Sequence, residues 1–415
     1  MRCAAVTRGY AERVRLPWSS LLLLSAGIFV AVTSEFLPIG LLPQLRDELG
    51  ITEAQVGLLI TVFAATVVVA TAPLTHLTRT VPRKRLLLSL LAVFAAANLV
   101  AALAPGYAVL LVARVIGGAA HGVFWAVVSP YAARLVTPDR IARAVAIATS
   151  GATVATVAGI PLGTLLGAAV GWRASFAVIA GLVVVIGALI IAVLPPVEHR
   201  ATDADPAATA RASAVRDATL APVVVLCATV VLVTLGHATF YTYIAAWMID
   251  VAQFAAGDVA AVLLLFGAAG AIGVAAAGVL GDRFPHGLLP VLLVGVVLAV
   301  AGLAATAAEP LAVIVLLALW SAFLGGVPVI FQARLLQTAS LALRDIAAAW
   351  LTVAFNIGIG GGALLGGIVI GAWSVAALPL VTVACLMAAL ALVAAVGALA
   401  RRGASAQITT ESAAS

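Results

Sequence analysis

Apolar residues along this chain come in long runs separated by short polar breaks, with neither the alternation of an amphipathic strand nor the stripe of a soluble helix. Runs long enough to cross a bilayer, which takes about 20 residues as a helix, lie at 18–42, 54–75, 86–104, 107–130, 141–169 and 174–194. The pattern then stops. Residues 195–220 are polar and rich in Pro and Ala, as a linker would be, and six more runs follow at 221–248, 258–280, 288–308, 310–335, 346–371 and 375–400. This predicts an all-α membrane protein of twelve spans: a tail (1–17), a six-helix bundle (18–194), the linker (195–220), a second six-helix bundle (221–400) and a second tail (401–415). Pro38, Pro43, Pro161 and Pro328 fall inside runs, where spanning helices tolerate them.

Composition agrees. Of 415 residues, 64% are hydrophobic and 9% charged, with a mean hydropathy of +1.23; soluble domains carry about 25% charged residues. The +6 net charge is scattered, so nucleic-acid binding is not indicated, and Cys3, Cys227 and Cys385 suggest neither a disulfide framework nor a metal cluster. No cofactor is expected. The basic N-terminus ahead of residues 18–32 reads as the start of the first span, because the apolar run continues to Leu42 without a convincing cleavage site.

Charge placement is more informative than charge number. With twelve spans both termini share one side, and nineteen of the 22 Lys and Arg residues fall there. Arg46 and Arg173 lie on the other side, and Arg114 lies within a span. Positive residues accumulate on the cytoplasmic side, which predicts cytoplasmic termini. The opposite loops hold Asp47, Glu48, Glu53, Asp250, Asp258 and Glu309.

Two internal echoes suggest duplicated halves. GTLLGAAVGW (163–172) in the fifth span matches GALLGGIVIG (362–371) in the eleventh, and Gly117-Gly118 in the fourth span matches Gly325-Gly326 in the tenth. Duplicated halves are the basis of alternating access around a site near the midplane.

Glu35 is the only acidic residue away from the ends of a predicted span. A carboxylate in hydrocarbon is costly and marks a functional position, so Glu35 is the natural proton carrier, against a role as a hydrogen-bonding residue at a wet vestibule. Arg114, the only basic residue away from the ends of a span, needs a partner. A direct or water-bridged contact with Glu35 is one reading, and pinning helices through backbone carbonyls is the other. His121 lies two turns beyond Arg114 on the same helical face, in line with Trp125. His237, Phe240, Tyr241, Tyr243 and Trp247 form an aromatic group suited to stacking on a substrate ring. His121, Trp125, His237, Tyr241, Tyr243 and Asn356 are therefore candidates for lining the cavity, although a lone span histidine also serves as a helix-to-helix hydrogen-bond partner. Gln332 is a weaker candidate.

Glycines at 159, 163 and 167, and at 358, 362 and 366, let a neighbouring helix approach closely. They are expected to pack and to mark the surface where the halves meet. Asp282 is expected to face Arg140 and Arg143 near the start of the fifth span, and the basic loop 79–85 to face Asp345, as latches of a gate.

Four motifs resemble the major facilitator superfamily. GVLGDRFPHG (278–287), with Asp282 and Arg283, is similar to its loop signature. LLVARVIGG (110–118) is similar to a motif of proton-coupled members, with Arg114 as its arginine. GATVATVAGIPLG (151–163), with Gly159, Pro161 and Gly163, resembles the glycine-proline motif of exporters. TSEFLPIGLLP (33–43) resembles the first span of the sugar-efflux and chloramphenicol-resistance branch of the twelve-span drug/proton antiporters. The first loop, THLTRTVPRKR (75–85), lacks the acidic residue of the signature, and Ile160 stands before Pro161 where the export motif has Gly.

The resemblance implies proton-coupled efflux of a drug or metabolite across a bacterial inner membrane by a monomer, coupled through Glu35 and Arg114, with Gly159, Pro161, Gly163, Gly362, Gly366, Asp282, Arg283 and Asp345 in packing or gating. Sugar or arabinoside efflux is the alternative within transport, and a channel or non-transporting sensor is the alternative outside it. With no G-x-x-x-x-G-K sequence and too few polar residues in the spans for a catalytic constellation, an enzyme is not expected.

Overall fold

The computed structural model describes residues 16–137, 140–197, 217–284, 287–340 and 343–395, all helix or connection without a strand among them. Twelve helices are long and apolar enough to span: Trp18–Gly40, Glu53–Leu77, Arg83–Ala102, Tyr107–Arg134, Arg143–Val170, Trp172–Val193, Leu220–Tyr241, Val259–Gly281, Leu288–Ala305, Pro310–Thr338, Ile346–Ala372 and Val375–Ala395. They are numbered first to twelfth below. Loops after odd-numbered spans define the odd-loop face, and loops after even-numbered spans the even-loop face.

Two predicted runs are shorter than the apolar pattern. The first span ends at Gly40 and a separate helix, Leu42–Leu49, follows with Pro43 in its first turn. The seventh ends at Tyr241 and is followed by Ile244–Asp250. Hydropathy cannot register such a break, since both sides of the turn are apolar, but the repetition at corresponding places is a mark of related halves.

Helix neighbours repeat as well. In the first half the first span packs on the fifth, the second on the fourth and the third on the fourth. In the second half the seventh packs on the eleventh, the eighth on the tenth and the ninth on the tenth. The halves meet chiefly through the second span against the eleventh and the fifth against the eighth, two contacts that a pseudo-two-fold interchanges.

The glycine ladders do not lie where the halves meet, contrary to expectation. A Cβ at Gly159, Gly163 or Gly167 would run into Thr33, Leu37 or Leu41 of the first span and the turn after it. One at Gly358, Gly362 or Gly366 would run into Thr234, Leu235 or Thr239 of the seventh. Each ladder therefore seats a helix inside its own half. The contact between halves uses other glycines: Gly57 closes on Tyr243, Gly367 on Ala54, Gly360 on Ala64, and Gly267 closes on the backbone of Val157.

That last contact explains a departure from regular helix. Residues Ala155–Gly159 form a π turn, in which the Ile160 N–H reaches the Ala155 carbonyl. Pro161 has no N–H with which to bond the carbonyl four residues earlier, that of Val157. The freed Val157 carbonyl faces the eighth span, where a Cβ on Gly267 would stand 2.6 Å from it. π turns recur at functional places in helices, and Pro161 acts here at the junction of the halves.

Candidate functional site

Arg114 occupies the interior of the first half with 3% exposure. Its three bonded nitrogens all donate to backbone oxygens: Nε to Leu59 at 3.1 Å, one terminal nitrogen to Ser34 at 2.8 Å and the other to Glu35 at 2.6 Å. The guanidinium also lies 4.2 Å from the centre of the Phe63 ring, a cation–π placement. Arg114 thus ties the fourth span to the first and second through carbonyls. Of the two readings left open by the sequence, this geometry is the second, and no hydrogen bond joins the guanidinium to the Glu35 carboxylate among the described residues.

The carboxylate turns to a different partner. Glu35 Oε2 stands 3.4 Å from His121 Nε2, and both side chains are buried. The spacing from Arg114 to His121 places the imidazole about 10 Å farther along the fourth span, so the helix offers Glu35 a backbone tie at one level and a ring at the next. Phe63 meets the imidazole edge-on at 5.2 Å between centroids, with Trp125 and Phe94 at 6.3 and 6.4 Å. His121 Nδ1 is buried without a hydrogen-bond partner.

Asn98, in the third span, completes this polar interior and has no counterpart among the sequence candidates. Its Oδ1 accepts from the Ser34 hydroxyl at 2.7 Å, while its Nδ2 donates to the Phe94 carbonyl. The signal was available: an amide inside an otherwise apolar span carries the same cost argument as a charge, in weaker form.

The second half holds no buried charged side chain among the described residues. In its place is a group of rings. His237 stacks on Tyr241 at 4.8 Å, Tyr241 stacks on Phe266 at 5.0 Å, and Phe240 stacks on Trp320 at 5.1 Å. Trp320 also meets His237 and Phe266 edge-on, both at 5.3 Å. Phe266 and Trp320 come from the eighth and tenth spans, too far along the chain for spacing to associate them with His237.

Tyr243 departs from the cavity-lining expectation. It is fully buried, donates its hydroxyl to the Ala363 carbonyl at 2.6 Å and fills the space left by Gly57 and Gly367. It is a wedge between the second and eleventh spans. His237, Tyr241 and Trp125 are half-buried. Asn356, also half-buried, donates to Thr352 of its own helix and leaves Oδ1 unpartnered. Gln332 is exposed.

The odd-loop ends of the halves are drawn together. Arg46 reaches Glu53 at 2.9 Å and, across the junction, Asp250 at 3.6 Å. Deeper in, the Thr61 hydroxyl donates to the Gly360 carbonyl at 3.0 Å. At the even-loop face Arg283 is exposed. The latches expected of Asp282 and Asp345 concern side chains outside the described residues.

The sequence model of the Major Facilitator Superfamily matches residues 24–340. The chain belongs to this superfamily. It is a multi-pass membrane protein with a transporter fold. Similar solved structures include a bacterial homologue of the human lysosomal transporter Spinster, described as inward-facing and unoccupied, at 15% identity and TM-score 0.70 over 92% of this chain and 95% of that one. The same protein in an inward-facing, occupied conformation matches at 16% identity and TM-score 0.70 over 92% and 96% of the two chains. The human organic anion transporter MFSD10 (TETRAN) matches at 17% identity and TM-score 0.71 over 91% of this chain and all of that one. At such identities the likeness extends to the fold.

Proposed function

We propose that this transporter exports a small organic molecule, a drug or a metabolite, in exchange for protons, with the Glu35 carboxyl as the proton-carrying group. The observation that carries the proposal is a carboxyl buried inside the first half beside an imidazole, with its own backbone fixed by Arg114. An ionised carboxylate buried in this way is costly, so gain and loss of a proton changes the energy of the enclosed state. That is the property a coupling group requires.

The rest of the cycle follows from the two junctions. Charge distribution favours placing the even-loop face, with nineteen basic residues, and both termini in the cytoplasm, and the resemblance of the motifs favours a bacterial inner membrane. On that assignment the contacts of Arg46 with Asp250 and of Tyr243 with Gly57 close the outer end. A proton arriving at Glu35 from outside favours reopening toward the cytoplasm, and its loss inside resets the site. The half-buried rings of His237 and Tyr241 are the surface for the substrate, and they suit a drug or a sugar-bearing ring alike. Asp282, Arg283 and Asp345 remain candidates for gating, and the working unit is a monomer.

The test is a susceptibility and accumulation assay over a panel of drugs and arabinosides, with and without a protonophore, comparing wild type with Glu35→Gln. Protonophore-sensitive efflux that vanishes in Glu35→Gln is the expected outcome. Full gradient-driven transport by that variant would remove Glu35 from the mechanism.

A further inference from the structure

The Glu35–His121 pair lies between two crevices inside the first half. One is lined by Ser34, Asn98 and Arg114 together with Phe63, Gly117 and Phe176. The other is lined by Ala31, Leu90, Phe94, Ala120, His121 and Phe124. Helix direction separates them. The first span runs from Trp18 at the even-loop face to Gly40 at the odd-loop face, and the fourth runs the opposite way from Tyr107 to Arg134. Arg114 and Ser34 therefore lie on the odd-loop side of the second crevice, whose walls at Ala31, Leu90 and Phe124 extend toward the even-loop face. His121 is the only hydrogen-bonding side chain in the second crevice, and its Nδ1 is the buried atom left without a partner.

We infer that His121 is the relay through which the Glu35 proton leaves for the even-loop side, and that Arg114 is a fixed tie rather than the exchanging partner. The inference rests on the proton-coupling reading above and adds a route to it. Arg114 already spends three donors on carbonyls of two spans, so releasing it would unfasten the helices each cycle. His121 has a ring nitrogen on each side of the step. When protonated Glu35 gives up its proton, the Oε2–H bond breaks, an Nε2–H bond forms, and the Nδ1–H proton passes to water entering the crevice. The products are a carboxylate, a hydrated proton and the other neutral tautomer, which returns to the first when Nε2 releases its proton to water and Nδ1 takes one up.

No other described charged group intrudes. The titratable groups facing this part of the first span are Arg114 and His121, both from the fourth. The second, third, fifth and sixth spans bring Phe63, Asn98, Gly159 and Phe176, none of which titrates. The short helix Ile244–Asp250, which also touches the first span, carries Asp250, and that carboxylate is engaged with Arg46 at the odd-loop face.

The test uses the full chain reconstituted in liposomes and follows the protonated-carboxyl stretch by infrared difference spectroscopy, the Glu35 band being identified by its loss in Glu35→Gln. The band is titrated from about pH 4 to 10, and its loss is then timed after a jump to alkaline pH. His121→Gln and the shorter His121→Asn, both able to hydrogen-bond but unable to relay, should slow that loss by about a hundredfold or more. Arg114→Lys, which keeps the charge, should slow it less. An unchanged rate in either His121 variant that keeps wild-type helicity would overturn the relay. If instead Glu35 fails to titrate anywhere in the range, it is the proton-coupling reading itself that falls.

Discussion

The two halves of this transporter share a helix plan and differ in what they bury. The first half encloses Glu35, Arg114, His121 and Asn98, and 72% of the most apolar stretch of its first span is buried; for the seventh span, the corresponding helix, the share is 28%. The second half encloses Trp320, Phe240 and Phe266 and leaves His237 and Tyr241 half open. Charges removed from water need fixed partners, so the half that carries them is tied helix to helix. Rings need only contact area, and a half built on them can keep a face free for a ligand. On the proposed function, a duplicated scaffold would in this way assign proton handling to one copy and substrate contact to the other.

The strongest way to break this comparison is to remove the tie. Arg114→Ala removes three buried hydrogen bonds from a charged donor and leaves the Ser34 carbonyl, which has Pro38 four residues on, without a donor; it should cost about 3 kcal/mol or more, read as a large loss of thermal stability in detergent. Trp320→Phe keeps the rings in contact and removes an N–H that has no partner, so it should cost under about 1.5 kcal/mol. Equal losses would show that the halves are not held differently.

A smaller effect tests the glycine ladders. Gly163→Leu and Gly362→Leu each force a helix off its neighbour within one half, at about 1–3 kcal/mol, and both should lower the melting temperature to a similar degree and block transport. Gly267→Val, at the junction with Val157, should leave the melting temperature near wild type. It should instead raise the accessibility of cysteines placed between the halves at the odd-loop face. If Gly267→Val unfolds the protein while Gly163→Leu does not, the assignment of ladders to half interiors is wrong.

The smallest expected effect is at the rim. Arg46→Gln removes a partly exposed ion pair across the junction, worth about 0.2–1 kcal/mol. Cross-linking between cysteines at the odd-loop ends should fall by less than about tenfold, and the difference from wild type should shrink at high salt.

How much was legible in advance depended on whether a property is local. Twelve spans were legible because each helix must satisfy its own backbone in lipid, which leaves a run of apolar residues as a direct signature. Glu35 and Arg114 were legible as exceptions within those runs. The breaks after Gly40 and Tyr241 were not, since an apolar residue in a turn reads like one in a helix. Neither was the displacement of the glycine ladders from the junction, because spacing indicates that a helix approaches closely without saying which one. Asp282 and Asp345 entered as latches from charge and position alone, and their side chains lie outside the described residues.

The sequence by itself determined that the chain crosses a membrane twelve times in two related sets of six, and that one carboxyl and one guanidinium are placed where charge is expensive. Only the tertiary structure decided how those two groups are used. Composition made Glu35 the sole acidic candidate for Arg114, yet all three guanidinium nitrogens donate to carbonyls of the first and second spans, and the carboxylate faces His121. The reason is that a buried cation takes whatever acceptors the packed helices present to it. Backbone oxygens are invisible to any reading that counts charged side chains.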